Sequence, residues 1–265
     1  MIPGSRDEWG SFLVARGREI RTGIAFSTRL PLPAIARGEG ADRAPENLAQ
    51  AMWTLPLAGL VVGLIATLVY ALAHRAGLPA WPAAMLAVAA SLAATGCLHE
   101  DGLADTLDGF GGGAAREQKL AIMRDSRIGV FGVCALIVSI LLRAGALAEL
   151  ADPAAVAWAL VAAHGAGRAT LPVFMVFVPP ARADGLSFDA GEPSREQAVA
   201  AAVLGILILL IALGLGSALL AVIALAIISA LVARLSRAQI GGQTGDVLGA
   251  VEQVSEIAIL LIAVR

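Results

Sequence analysis

Apolar and polar positions divide the chain into two unlike regions. Residues 1–52 are polar to amphipathic, and from residue 53 long apolar runs alternate with short polar segments. Between Trp9 and Phe26, the apolar residues Trp9, Phe12, Leu13, Ile20, Ile24 and Phe26 are interleaved with Arg16, Arg18, Glu19 and Arg21. A helix with that pattern lies in the headgroup layer instead of crossing it. Pro31 and Pro33 stop it. A crossing helix needs roughly 20 mostly apolar residues. Runs of that kind fall at 53–73, 81–98, 129–148, 154–178, 197–213, 216–234 and 247–264, with Gly214 and Gly216 making a tight return after the fifth. The pattern therefore predicts an all-α fold: a polytopic membrane helix bundle of about seven transmembrane helices plus an N-terminal interfacial helix. It has two parts, an interfacial segment at 1–52 and a transmembrane domain at 53–265 with polar loops at 99–128 and 235–246.

Composition agrees. The chain is 58% hydrophobic and 15% charged, with mean hydropathy +0.81, where a soluble domain carries about 25% charged residues. A net charge of −2 offers no basic surface, so nucleic acid is not an expected partner. Cys97 and Cys134 have no CxxC spacing, and His99 alone cannot complete a zinc site. Both cysteines are expected to be buried free thiols. The N-terminus holds Arg16, Arg18 and Arg21 without the early apolar core of a signal peptide.

Basic residues set an orientation. With the N-terminus inside, the inner segments hold Arg6, Arg16, Arg18, Arg21, Arg29, Arg37 and Arg43, then Arg116, Lys119, Arg124 and Arg127, then Arg182 and Arg195, then Arg234 and Arg237. The outer segments hold Arg75 and Arg265, while Arg143 and Arg168 fall within spans. The loops at 99–128, 179–196 and 235–246 are therefore expected in the cytoplasm.

The densest chemistry lies in His99–Gly129. Asp101, Asp105 and Asp108 are spaced i, i+4, i+7, which places three carboxylates on one helix face. Such like charges repel unless a cation lies between them. Hard carboxylate oxygens suit Mg²⁺, which is usually bound by one or two carboxylates plus substrate phosphates. A Mg²⁺ site presenting a diphosphate is the hypothesis; a solvated acidic face is the alternative. Gly109 and Gly111–Gly113 are either a phosphate-cradling turn or a flexible connector. Arg116 and Arg127 offer the planar fork that suits phosphate oxygens. Asp246 stands at the mouth of the last span, with Glu252 and Glu256 one turn apart and deeper. Carboxylates at that depth are costly and face a cavity or a partner. Arg168, one turn after His164 in the fourth span, is both the natural ion-pair partner for them and a candidate contact for an anionic ligand. The Phe26–Pro33 stretch is a surface anchor or a cover over the site.

These residues resemble a known family. FSTRLPLP (26–33), LHEDGLADTLDGF (98–110), IMRDSRIGVFG (122–132), GRATLP (167–172) and GGQTGDVLGAVEQVSE (241–256) are similar, in this order, to the cobalamin synthase family. The resemblance runs from about residue 20 to the C-terminus. It implies displacement of GMP from adenosylcobinamide-GDP by the ribose hydroxyl of α-ribazole or its 5′-phosphate. It also implies Mg²⁺ as cofactor and the inner (cytoplasmic) membrane as location, with membrane lipid around the bundle.

Placed on that chemistry, Asp101, Asp105 and Asp108 are the expected metal ligands. His99, Arg116, Arg127, Arg168 and Thr244 are the expected substrate contacts, and the proton acceptor is one of Asp108, Asp125 and Asp246. Near wild-type rates for Ala at Asp101 or Asp105 in saturating Mg²⁺ would sink the metal assignment. Two other readings compete. A CDP-alcohol phosphotransferase also transfers across a nucleotide diphosphate, but Asp101-Gly102 lacks the Ala-Arg that should follow. An ion-coupled transporter would use Arg168, Glu252 and Glu256 as a relay, yet the acidic cluster lies in a loop. Assembly into homo-oligomers is left open by the residues.

Overall fold

The computed structural model describes residues 6–32 and 48–265, with side chains from residue 9 onward. Pro33, Arg37 and Arg43, and the side chain of Arg6, lie outside the described residues. In chain order the helices are α1 (Arg6–Ser27), α2 (Leu48–Ala51), a 3-10 turn (Met52–Thr54), α3 (Leu55–Arg75), α4 (Ala80–Thr95), α5 (Leu98–Gly112), α6 (Arg116–Ile122), α7 (Val130–Leu150), α8 (Pro153–Phe177), α9 (Leu186–Asp189), α10 (Arg195–Ile240) and α11 (Gly245–Ala263). No named strand occurs among the described residues.

The seven predicted crossings fall on six helices, two of them on α10. By length and apolarity, four helical stretches qualify on their own: Leu48–Arg75, Val130–Leu150, Pro153–Phe177 and Arg195–Ile240. The pair α4–α5, bent by 90°, raises the number to five. A straight helix of 46 residues would reach about 69 Å, more than twice a bilayer core. Helix α10 is not straight: Gly214 adopts φ 72°, ψ 172° inside it. Gly205 packs on Ala169 and Ile208 on Gly165, so the first half runs antiparallel to α8. Arg237, near the other end, donates to the Phe177 carbonyl at the C-terminal end of α8. The chain therefore reverses at Gly214, where the sequence places its return.

Helix α8 is the axis of the bundle. Its residues from Ala162 to Ala169 are all buried. Small residues bring neighbours onto it: a Cβ at Gly59 of α3 would overlap the His164 carbonyl, and one at Gly63 would lie 2.8 Å from the Leu160 carbonyl. Leu64, Leu68 and Leu72 of α3 and Ile223 and Ile227 of α10 face outward, as apolar residues in a bilayer do. Cys97 and Cys134 are free, as expected, but exposed. An apolar run signals contact with lipid as readily as contact with protein, and this is why the burial expectation failed.

At the corner between α4 and α5, two consecutive residues take the left-handed conformation, Gly96 at φ 65° and Cys97 at φ 59°. Just past the end of α1, the Arg29 amide donates to the Ala94 carbonyl at 2.8 Å and the Arg29 side chain packs on Gly96. Upstream, Trp53 Nε1 donates to Glu19 Oε2 at 2.6 Å. The amphipathic helix is thus tied both to the entrance of α3 and to the corner that launches α5.

Candidate active site

Helices α5 and α11 cross at two glycines. A Cβ at Gly102 would lie 2.8 Å from the Asp246 carbonyl and 3.1 Å from the Gly249 Cα, and one at Gly249 would lie 3.0 Å from the His99 carbonyl. Only residues without a side chain allow this approach. It brings the first turn of α11, with Asp246, against the acidic face of α5. Asp101 is exposed and Asp105 half-buried. Burial, and then the charges of Asp101, Asp246 and Asp108, push the Asp105 carboxyl up to about 7. Burial also raises Asp246, opposed by the Thr244 hydroxyl and Arg182. Thr244 caps α11: its oxygen accepts from the Val247 amide at 3.3 Å and its hydroxyl donates to Asp246 Oδ2 at 3.1 Å.

Asp108 shares the face of Asp101 and Asp105 but has different work. Its two oxygens accept from the amides of Gly129 at 2.7 Å and Gly132 at 2.9 Å, in the first turn of α7. It therefore ties α5 to α7 in the manner of an N-cap. The glycine run packs closely instead of forming a cradle. A Cβ at Gly111 would lie 2.7 Å from the Phe131 ring, and one at Gly113 2.8 Å from the Lys119 amide.

The expected phosphate-binding arginines are dispersed. Arg127 is 86% exposed and forks onto Asp125 at 2.6–3.2 Å. That hydrogen bonding holds the Asp125 carboxyl down to about 2, which makes it a weak proton acceptor. Arg116 donates to the Ile240 carbonyl at 2.8 Å and to the Ala181 carbonyl, clamping α6 to the end of α10 and to the loop after α8. Arg168 is fully buried and pairs with Glu252 at 2.7 Å. The ion-pair option for Arg168 and Glu252 is the geometry found.

That pair belongs to a buried network. Arg143 of α7 reaches Glu100 at 2.9 Å and Glu256 at 3.2 Å, and His164 lies 3.0 Å from Glu256. His99 Nδ1 lies 3.3 Å from Arg168 and 3.5 Å from Glu252. Gln253 accepts from Ser139 at 3.1 Å and donates to Glu252 at 3.0 Å. Four helices, α5, α7, α8 and α11, are cross-tied this way. Glu252 and Glu256 stand about 9 and 15 Å along α11 from Asp246 at 1.5 Å per residue. His99 and Arg168 therefore belong to this interior, and the aspartates to the rim.

Among the described residues, two places have metal-binding donors. His164, Glu252 and Glu256 offer ligand atoms within 4.8 Å of one another, but arginines already neutralise both carboxylates. Asp101, Asp105 and Asp246 form a looser, hard-oxygen group at the edge, and Asp105 has no cation among the charges that move it. That donor set fits Mg²⁺, which keeps waters and shares its coordination with phosphate. A cavity of about 40 Å³ adjoins the crossing, lined by Phe26, Leu98, His99, Met175, Leu186 and Leu248 among others. The end of α1 thus covers this side of the site.

A family model described as cobalamin-5-phosphate synthase matches residues 19–264, a range that takes in α5, α11 and every element between them. The chain belongs to the cobalamin-5-phosphate synthase family. Relatives of this cobalamin-5-phosphate synthase family member carry the name adenosylcobinamide-GDP ribazoletransferase. One from Mesorhizobium japonicum is 55% identical over 241 residues, 91% of this chain and 90% of its own. Another from Bradyrhizobium diazoefficiens is 53% identical, covering 92% of each. A third, from Azorhizobium caulinodans, is 45% identical over 92% of this chain and 94% of its own. No solved structure matches the chain.

Sequence reasoning missed three residues. Glu100 stands beside the aspartates, and a carboxylate next to a buried span needs a partner. Arg143, within a span, is that partner. Arg182 reads in sequence as an ordinary loop cation, and it is the arginine whose charge acts on Asp246.

Proposed function

We propose that this chain transfers the cobinamide phosphate of adenosylcobinamide-GDP to the ribose hydroxyl of α-ribazole or its 5′-phosphate, releasing GMP, in the last steps of cobalamin biosynthesis. The observation that carries the site assignment is the glycine crossing of α5 and α11, which gathers Asp101, Asp105 and Asp246 at the rim of a helical membrane bundle.

The acceptor oxygen forms a new bond to the corrinoid-side phosphorus. The bond from that phosphorus to the GMP oxygen breaks, and GMP leaves with the electron pair. The proton of the attacking hydroxyl passes to a carboxylate. Asp246 is the assigned acceptor: it is partly buried and its Oδ2 is oriented by the Thr244 hydroxyl. Asp101 and Asp105 would hold Mg²⁺ with it, and Mg²⁺ supplies charge neutralisation and alignment of the diphosphate when bound. Asp108 fixes α5 against α7 so that these groups keep their register. The buried network does the same for α5, α8 and α11. The basic-residue distribution supports a cytoplasmic site in the inner membrane.

Detergent-purified protein given adenosylcobinamide-GDP, α-ribazole 5′-phosphate and MgCl₂ should release GMP and the corrinoid product in equal amounts. EDTA and Asp105→Ala should each abolish both. A folded preparation that releases no GMP from adenosylcobinamide-GDP but releases CMP from a CDP-alcohol would overturn the proposal.

A further inference from the structure

We infer that Arg182 is the residue that binds the donor's diphosphate, a role that the sequence pattern alone assigns to Arg116, Arg127 or Arg168. The inference depends on the transfer reaction proposed above and names the group that receives its leaving phosphate.

Arg182 is mounted rigidly. The Ala181 amide donates to the Gln243 carbonyl at 2.7 Å, and the Gln243 amide donates to the Pro179 carbonyl at 2.9 Å. This short backbone pairing fixes the residues before Arg182 to the segment that starts α11, three residues ahead of Asp246. Gly242 is pressed into the same pairing, its Cβ position 2.9 Å from the Ala181 amide. Arg116 secures the Ala181 carbonyl from the other side.

The guanidinium so held stands at the outer edge of ion-pair range of two carboxylates and makes a hydrogen bond to neither. Its Nη2 lies 4.0 Å from Asp246 Oδ2, beyond hydrogen-bond reach. Its Nε lies 3.4 Å from Asp184, an exposed carboxylate that also pairs with Arg124. Nη1 is shielded from solvent and has no hydrogen-bond partner. The side chain is 17% exposed. Gly185, at φ 87°, wraps the guanidinium with no side chain, and a Cβ there would lie 3.1 Å from Nη2. A planar cation beside a divalent-cation site, with donors left unpaired, has the geometry for a phosphate oxygen. The three arginines expected in this role are engaged elsewhere: Arg168 in the interior, Arg116 on carbonyls, Arg127 on Asp125.

The test compares wild type, Arg182→Ala and Arg182→Lys in detergent with Mg²⁺. Read-outs are the transfer rate, the inhibition constant of GMP, the acceptor KM, melting temperature, and rescue by free guanidinium. Losing one charge-stabilising donor should lower kcat by about 10²–10³-fold. GMP inhibition should weaken at least roughly tenfold with the acceptor KM held, and guanidinium should restore part of the Arg182→Ala rate. Arg182→Lys keeps the charge and should fall between, which guards against a folding defect in the alanine variant. Unchanged GMP inhibition in both variants, or a lost rate that guanidinium never restores, would overturn the assignment. A wild type that releases no GMP would instead overturn the reaction itself, before any variant is compared.

Discussion

Replacing Arg168 with Met removes the cation paired to Glu252 at 2.7 Å. Glu252 is 0% exposed, so its charge would be left with the Gln253 amide at 3.0 Å and His99 at 3.5 Å. Glu100 and Glu256 would keep Arg143, with His164 3.0 Å from Glu256. Breaking one partner out of a buried pair costs about 3–5 kcal/mol. For a chain of this size that is a melting shift on the order of 10 °C. The assay is thermal unfolding in one fixed detergent, with the donor KM measured on the folded fraction. Arg168→Met with Glu252→Gln removes both charges and should regain most of the loss, because the penalty comes from the orphaned carboxylate. A single variant melting within about 2 °C of wild type, with a donor KM raised tenfold or so, would refute the reasoning. Arg168 would then be the substrate contact that its sequence position suggests.

Three further outcomes are expected. Asp108→Ala should cost about 1–2 kcal/mol of stability through the lost α7 cap, while the Mg²⁺ concentration for half-activation stays put; a large shift in that concentration would restore Asp108 as a ligand. Gly102→Ala should be severe, because its Cβ would meet Asp246 backbone at 2.8–3.0 Å; overpacking of this kind costs about 1–3 kcal/mol, and wild-type activity would show that the crossing is not needed. Asp105 has a pKa of about 7 in the fold against 3.8 as its ordinary value, so folding favours its protonated form. Metal-free stability should therefore fall as pH rises from about 4 to 7. Asp105→Asn should raise the metal-free melting temperature at pH 8 and leave it unchanged at pH 4, and an equal effect at both would contradict the crowding of these carboxylates.

Much of this was legible because a bilayer imposes simple rules. Apolar runs gave the helices, Gly214 gave the reversal, and the i, i+4 spacing of Asp101 and Asp105 gave the shared face. What one dimension could not give was which charge meets which. Asp108 continues the same spacing, yet the start of α7 folds over it and takes both its oxygens. Arg116, Arg127 and Arg168 look alike in sequence, but one meets carbonyls, one a neighbouring carboxylate and one a buried glutamate. Arg182 lies in an ordinary polar loop. Only the pairing of residues 179–181 with Gln243, far apart in the chain, carries it to Asp246.

In the proposed reaction Asp101, Asp105 and Asp246 would hold the divalent ion. Mn²⁺ titration followed by electron paramagnetic resonance would test it on wild type, Asp105→Ala and Glu256→Gln. The expected result is one tight Mn²⁺ site that Mg²⁺ displaces, lost in Asp105→Ala and kept in Glu256→Gln. Tight binding that survives Asp105→Ala and disappears in Glu256→Gln would place the metal at His164, Glu252 and Glu256 and contradict the account.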